Sequence, residues 1–266
     1  MSCSKASAGK RRRNPQDNNA KPSASNAMPI PILMYHQIDI PPGRGTPLRG
    51  LVVSPDSFGR QMGLLALFGY RGVSMEDLLP YLSGEKIGKV VGITFDDGFQ
   101  NNLYNALPVL LRYGFTATCY GVSNMLGGSN SWDEKLGIPQ KILMTVSEWR
   151  AWSDAGMDVG SHTRHHAALT KIGTEEALLE ISRSKQELEQ TIGCSVSHFC
   201  YPYGWFNLEH KEMVRDAGYL TATTTRRGRV HSQHDTFELN RIMVSRTTYL
   251  GQFAAKCFTS YEDLRR

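Results

Sequence analysis

At 266 residues and 40% apolar composition, the chain is long enough for one large α/β domain or two small ones, with a real core. Its formal charge of +5 lies entirely in residues 1–28, where six Lys and Arg face the single acid Asp17; the remainder carries 24 residues of each sign. A neutral body argues against a nucleic-acid partner, no apolar run is long enough for a membrane span, and five cysteines without Cys-x-x-Cys spacing argue against a disulfide framework or zinc ribbon.

Residues 1–28 are rich in Ser, Asn, Lys and Ala and nearly free of large apolar side chains, so they are expected to form a disordered basic tail. The run from Lys10 to Arg13 is read as solvated rather than as a nucleic-acid or lipid contact. No apolar segment follows it, so a cytoplasmic protein is the expectation. Residues 29–266 are expected to form a single catalytic domain.

In chain order, residues 31–35 read as a first buried strand, followed by a Pro- and Gly-rich loop. Ser54-Pro55 starts a helix, with proline at the first helical position, and Gly69 ends it. A short strand at 70–74 leads to a helix capped by Ser74, then to a β-branched strand at 90–95. Leu103, Leu107 and Leu110 mark a third helix that Pro108 is expected to bend. A strand at 115–120 opens into an irregular, glycine-rich stretch, 121–140. Thr145 and Glu148 have capping-box spacing, and their helix runs to Gly156. After a strand at 157–160, residues 174–192 carry a helical stripe of Leu178, Ile181, Leu188 and Ile192, with Gly193 just past the end. Strands at 197–201, 219–223 and 242–244 follow, with helices at 207–217 and 249–257. About eight strands alternating with about seven helices predict a parallel, closed or nearly closed (β/α) barrel, whose chemistry sits at the C-terminal ends of the strands.

Four of those ends are polar, the last of them running from Thr223 to Arg227. The strand at 90–95 ends in Asp96-Asp97-Gly98, and adjacent carboxylates repel unless a cation or proton lies between them. An acidic turn would account for them alone; a metal site would give one acid to an ion and the other to a proton. After the strand at 157–160 come His162, His165 and His166. Spacing of three or four lets either His162–His165 or His162–His166 share a face. Two histidines and one aspartate make a three-ligand set with an open position, the pattern of catalytic zinc. Residues 197–201 lead into Pro202-Tyr203-Gly204.

Thr94-Phe95-Asp96-Asp97-Gly98, His162-Thr163-x-x-His166 and Phe199-x-Tyr201-Pro202-Tyr203-Gly204 together resemble the first three motifs of the NodB-type polysaccharide deacetylases. Met34-Tyr35-His36 is similar to that family's opening strand, so the resemblance covers about residues 29–250. It implies a distorted (β/α) barrel and metal-dependent removal of acetyl from an N-acetylated saccharide. By position it makes Asp96 the general base, and Asp97, His162 and His166 the ligands of a divalent ion, zinc first among the possibilities. The Tyr203 N–H would help hold the oxyanion. Tyr201, Pro202 and Arg226 are expected near the substrate, and His36 is a cleft residue with an even claim to a catalytic or a structural role.

The sequence also departs from the family. Cys200 stands where an arginine often orients the base, and Leu239-Asn240-Arg241-Ile242 holds no histidine where a late general acid is expected. His231 and His234 lie in the preceding polar loop. Cys200 itself, in an apolar strand, is read as a core thiol. Two alternatives stay open: an O-acetyl esterase using the same site, and a glycan-binding module that has lost turnover.

Overall fold

A computed structural model describes residues 28–265. The expected basic tail, apart from Met28, lies outside the described residues. The elements run β1 (Ile32–Tyr35), two-residue strands β2 (Gln37–Ile38) and β3 (Val52–Val53), α1 (Pro55–Leu67), β4 (Arg71–Val73), α2 (Met75–Leu82) and β5 (Val90–Phe95). Then come α3 (Leu107–Tyr113), β6 (Thr118–Gly121), α4 (Val146–Asp154), β7 (Asp158–Ser161), α5 (Thr174–Ile192) and β8 (His198–Cys200). The chain finishes with α6 (Leu208–Asp216), β9 (Thr221–Arg227), β10 (Leu239–Met243) and α7 (Leu250–Phe258).

Seven strands close a parallel barrel in the order β1-β10-β9-β8-β7-β6-β5, with Ile32–Tyr35 pairing Gly92–Phe95 to shut the ring. The eighth, β4, takes the first half of one β5 edge (Arg71–Val73 beside Val90–Gly92), and β6 takes the second half. It is a wedge between β5 and β6 at the end away from the strand exits. The barrel class and the eight parallel strands match the expectation; β2 and β3, two residues each, are an addition that no periodicity could signal.

Local chemistry sets the helices. Ser54 accepts a hydrogen bond from Ser57 N, Ser74 from Asp77 N, and Thr145 and Glu148 form the expected capping box. Gly193, at φ 88°, closes α5. The stripe of α5 needs correcting: Leu178 is exposed, and the buried face runs through Ala177, Ile181, Ser184, Leu188 and Ile192. Apolar side chains outside the barrel pack on the helices, with Trp149, Trp152, Phe58 and Phe199 in the larger core. A smaller cluster of Ile32, Tyr120, Cys200 and Leu239 fills the lumen below the strand exits. The four cysteines among the described residues are free.

The bend expected at Pro108 takes the form of a wide helical turn, Asn102–Ala106, just before α3. That turn has a use. The buried Asn102 donates from Nδ2 to His36 O (2.7 Å) and accepts from Ile38 N (3.1 Å), so it pins the main chain at His36 and just beyond it.

Candidate metal centre and catalytic cleft

Asp96 continues β5 by one residue, its N–H donating to Tyr35 O at 3.0 Å. Asp97 then turns the chain at φ 74°. Gly98 follows because a Cβ there would lie 2.7 Å from the Trp149 ring. From β7, His162 N donates to Gly121 O, and the loop carrying His166 is fastened from α5. The buried Glu180 carboxylate accepts from the N–H groups of Arg164 and His165, both at 2.9 Å, and from His165 Nδ1 at 2.5 Å. His165 is thereby turned away. The fold brings His162 together with His166, spaced by four, beside Asp97.

Asp97, His162 and His166 bring one ligand atom each within 4.8 Å of one another. His166 Nε2 and His162 Nε2 lie 3.4 and 3.5 Å from Asp97 Oδ1, yet that buried oxygen has no hydrogen-bond partner. Two ligands bonded at about 2.1 Å to a shared tetrahedral centre stand about 3.4 Å apart, so these separations suit an ion better than hydrogen bonds. The second imidazole nitrogens are engaged elsewhere. His162 Nδ1 meets Cys200 O at 2.7 Å; a carbonyl only accepts, so the proton is on Nδ1 and Nε2 keeps a lone pair. His166 Nδ1 meets the Tyr203 hydroxyl at 3.2 Å, and Trp132 stacks on its ring. Burial pushes the Asp97 carboxyl up, but His166, His36 and His162 outweigh it and hold it well below the usual carboxylate range. An unpaired ionised oxygen facing two imidazole nitrogens fits a divalent ion.

Asp96 is bound differently. Arg241, fully buried, donates from Nη1 to Oδ1 (2.6 Å) and from Nη2 to Oδ2 (2.8 Å). Burial raises the Asp96 pKa, and Arg241, then His36 and His162, more than offset it, so the group is lowered. The orienting arginine is therefore present after all. It comes from β10, where a register shift against β9 between Leu239 and Arg241 re-aims the side chain into the lumen and Nε bonds Thr224 O at 2.8 Å. Arg241 Nη2 lies 3.2 Å from Cys200 Sγ, so the cysteine leaves room where the arginine of the third motif would stand. Burial pushes the Cys200 thiol up, so it stays protonated, as a core thiol should. An arginine between the apolar Leu239 and Ile242 of a strand was the available signal, because a buried charge needs a partner.

His36 Nε2 is 4.0 Å from Asp96 Oδ2, in the same cleft as Asp97. The Pro202–Gly204 turn puts Tyr203 at φ 61°, and a Cβ on Gly204 would lie 2.1 Å from Thr225 Oγ1. The Tyr203 ring is part-exposed beside His166, as expected of a cleft residue. Tyr201 is not: its ring is buried on Phe206 and its hydroxyl donates to Phe237 O at 3.1 Å, so it seats the turn from the core. Pro202 is buried too. Arg226 pairs with Glu238 at 2.8 Å over the Phe206 ring and is not brought into the Asp97 group; His231 and His234 also lie elsewhere, His231 reaching Asp263. Of the five non-glycine residues at positive φ among the described residues, Asp97, Thr163, His166 and Tyr203 belong to the loops of the candidate site and the adjoining turn, and Leu48 lines the cleft. Such strain persists where the surroundings over-determine it, and functional sites are where it collects.

No helix of the described residues is long and apolar enough to cross a membrane. The chain is similar to YxkH of Bacillus subtilis, whose name places it among polysaccharide deacetylases: 28% identity over 218 residues, 81% of this chain and 71% of that one. It is 26% identical over 212 residues to the poly-β-1,6-N-acetyl-D-glucosamine N-deacetylase of Staphylococcus epidermidis, covering 76% of this chain and 71% of the relative. Among solved structures, the Streptococcus pyogenes deacetylase PplD, in complex with acetate, superposes with a TM-score of 0.76 at 25% identity, over 87% of this chain and 99% of that one. The family model for polysaccharide deacetylases matches residues 83–222, which hold the Asp96–Asp97 strand end, His162, His166 and the Tyr203 turn. With more than half of its length in that match, the chain belongs to the polysaccharide deacetylases, a family of hydrolases.

Proposed function

We propose that this chain removes acetyl groups from an N-acetylated saccharide, an oligosaccharide or polysaccharide, by metal-assisted hydrolysis of the amide. The observation that carries this reading is the buried, unpaired Asp97 Oδ1 facing two imidazole nitrogens whose ring partners are already bonded. Asp97, His162 and His166 would hold the ion, and the two-imidazole, one-carboxylate set suits zinc. A divalent ion there would polarise the acetamido carbonyl and make a water acidic enough to lose a proton near neutral pH.

The chain's own residues supply the rest. Asp96, kept ionised by Arg241, accepts the proton of the attacking water. Arg241 holds both carboxylate oxygens, so the base is fixed before substrate arrives. His36, anchored through Asn102, is placed beside Asp96 to return a proton to the leaving nitrogen. The Tyr203 N–H, in its strained turn, is assigned to the oxyanion.

With the protein loaded with zinc, acetate release from N-acetylglucosamine oligomers is expected, and it should stop with a chelator and return with added metal. Release of acetate from O-acetylated xylan alone would make the chain an esterase. Saccharide binding without turnover at any metal would make it a binding module.

A further inference from the structure

One acid in the cleft has no task in that chemistry. Asp133 lies in the short helical turn Ser131–Leu136, is 7% exposed, and lines the same cleft as His36 and Asp97. The preceding Trp132 stacks on the His166 ring with centroids 4.6 Å apart, which ties this turn to the ligand group. Asn130, itself buried, donates from Nδ2 to Asp133 Oδ2 at 3.1 Å, while Lys141 N holds the Asn130 carbonyl at 2.7 Å. Among the described residues this is the carboxylate's one hydrogen bond, and no cation pairs with it. Lys141, on the same wall, is committed to Asp39 at 2.9 Å. Asp133 is also outside both groups of side chains that could share an ion among the described residues.

A carboxylate this deeply placed is normally paired. Asn130 orients one oxygen and leaves the other without a protein donor. We propose that Asp133 accepts the hydrogen bond of the substrate nitrogen, the acetamido N–H before cleavage and the ammonium after it, and so selects amides over O-acetyl esters. An ester brings no donor and would leave the carboxylate unpaired in the cleft, the kind of mismatch by which polar sites reject an analogue. The proposal rests on the deacetylase reading and specifies how that site chooses its bond.

The test compares kcat/KM for an N-acetylglucosamine oligomer and for an O-acetylated xylan fragment in wild type, Asp133→Ala and Asp133→Asn, all metal-loaded. Asp133→Ala is expected to lower the amide-to-ester ratio by about 10–100-fold, the worth of a charged hydrogen bond. Asp133→Asn, which keeps an acceptor oxygen, should recover part of it. Without turnover, a fully deacetylated glucosamine oligomer should bind the Ala variant about tenfold more weakly. Equal losses on both substrates, or loss of bound metal in both variants, would make Asp133 a support of the loop and overturn the proposal. A wild type that releases no acetate from the amide overturns the deacetylase reading itself, and the proposal with it.

Discussion

Arg241→Met is expected to destabilise the fold by about 3–5 kcal/mol at neutral pH, the cost of leaving a buried charge without its partner. Asp96 is 3% exposed and has no second cation at hydrogen-bond distance among the described residues; His36 is 4.0 Å away. Asp96→Asn should also destabilise, because it strands the fully buried guanidinium. The double variant should lose less than the sum, with a coupling of about 0.5–3 kcal/mol. The pH dependence has a definite sign. Asp96 titrates lower in the native state than unfolded, so its pairing favours the fold above the unfolded value of about 4 and fades as pH falls through the native one. In Arg241→Met, burial acts on Asp96 without that offset, and the carboxyl takes up a proton more readily. The gap between wild type and variant, measured by urea unfolding, should therefore narrow as the solution is acidified. A gap that is constant with pH would mean that the loss comes from packing and not from charge.

Asp96→Asn is expected to lower kcat for acetate release by about 10²–10⁴-fold, the usual worth of a positioned general base. The bound metal should stay, because both Asp96 oxygens are held by Arg241, and the second possible group, Asp96 with His162 and Cys200, depends on a thiol that stays protonated. Activity loss with unchanged metal content, measured where the variant is folded, separates the base from the ligands. A smaller loss, or loss of the ion along with activity, would move Asp96 into the ligand set and leave the base unassigned. Cys200 does not compete for that role, since its buried thiol remains protonated.

Much of this was legible in the chain because the relevant signals are local. Ser54-Pro55, Ser74 and the Thr145–Glu148 pair mark helix starts within four residues, and each behaves as written. The Asp96-Asp97-Gly98 and His162–His166 spacings are equally short-range, so the ligand group could be assembled once the strands were ordered. Leu178 failed for a physical reason: the buried face of α5 includes Ala177 and Ser184, small residues whose burial hydrophobicity does not announce. Tyr201 failed because a motif gives the path of the main chain and not which face a ring takes.

Arg241 was hidden by distance. It is 145 residues from Asp96 and meets it only because the barrel closes β1 between β5 and β10. The arginine missing at Cys200 was sought at the same place in the motif, whereas the same volume is filled from another strand. Asp133 and Glu180 were hidden by context. One sits in an irregular loop and the other on a helix that reads as solvated, and only the fold shows that each carboxylate is turned inward.

The most direct test of the central claim is the metal content of the purified protein, beside His166→Ala, Asp97→Asn and His165→Ala. One divalent ion per chain is expected in the wild type and in His165→Ala, whose imidazole is held by Glu180 away from the cluster. His166→Ala and Asp97→Asn should lose it while remaining folded by circular dichroism. A wild type that binds no divalent ion after metal loading, or a His166→Ala variant that keeps it with unchanged affinity, would contradict the account.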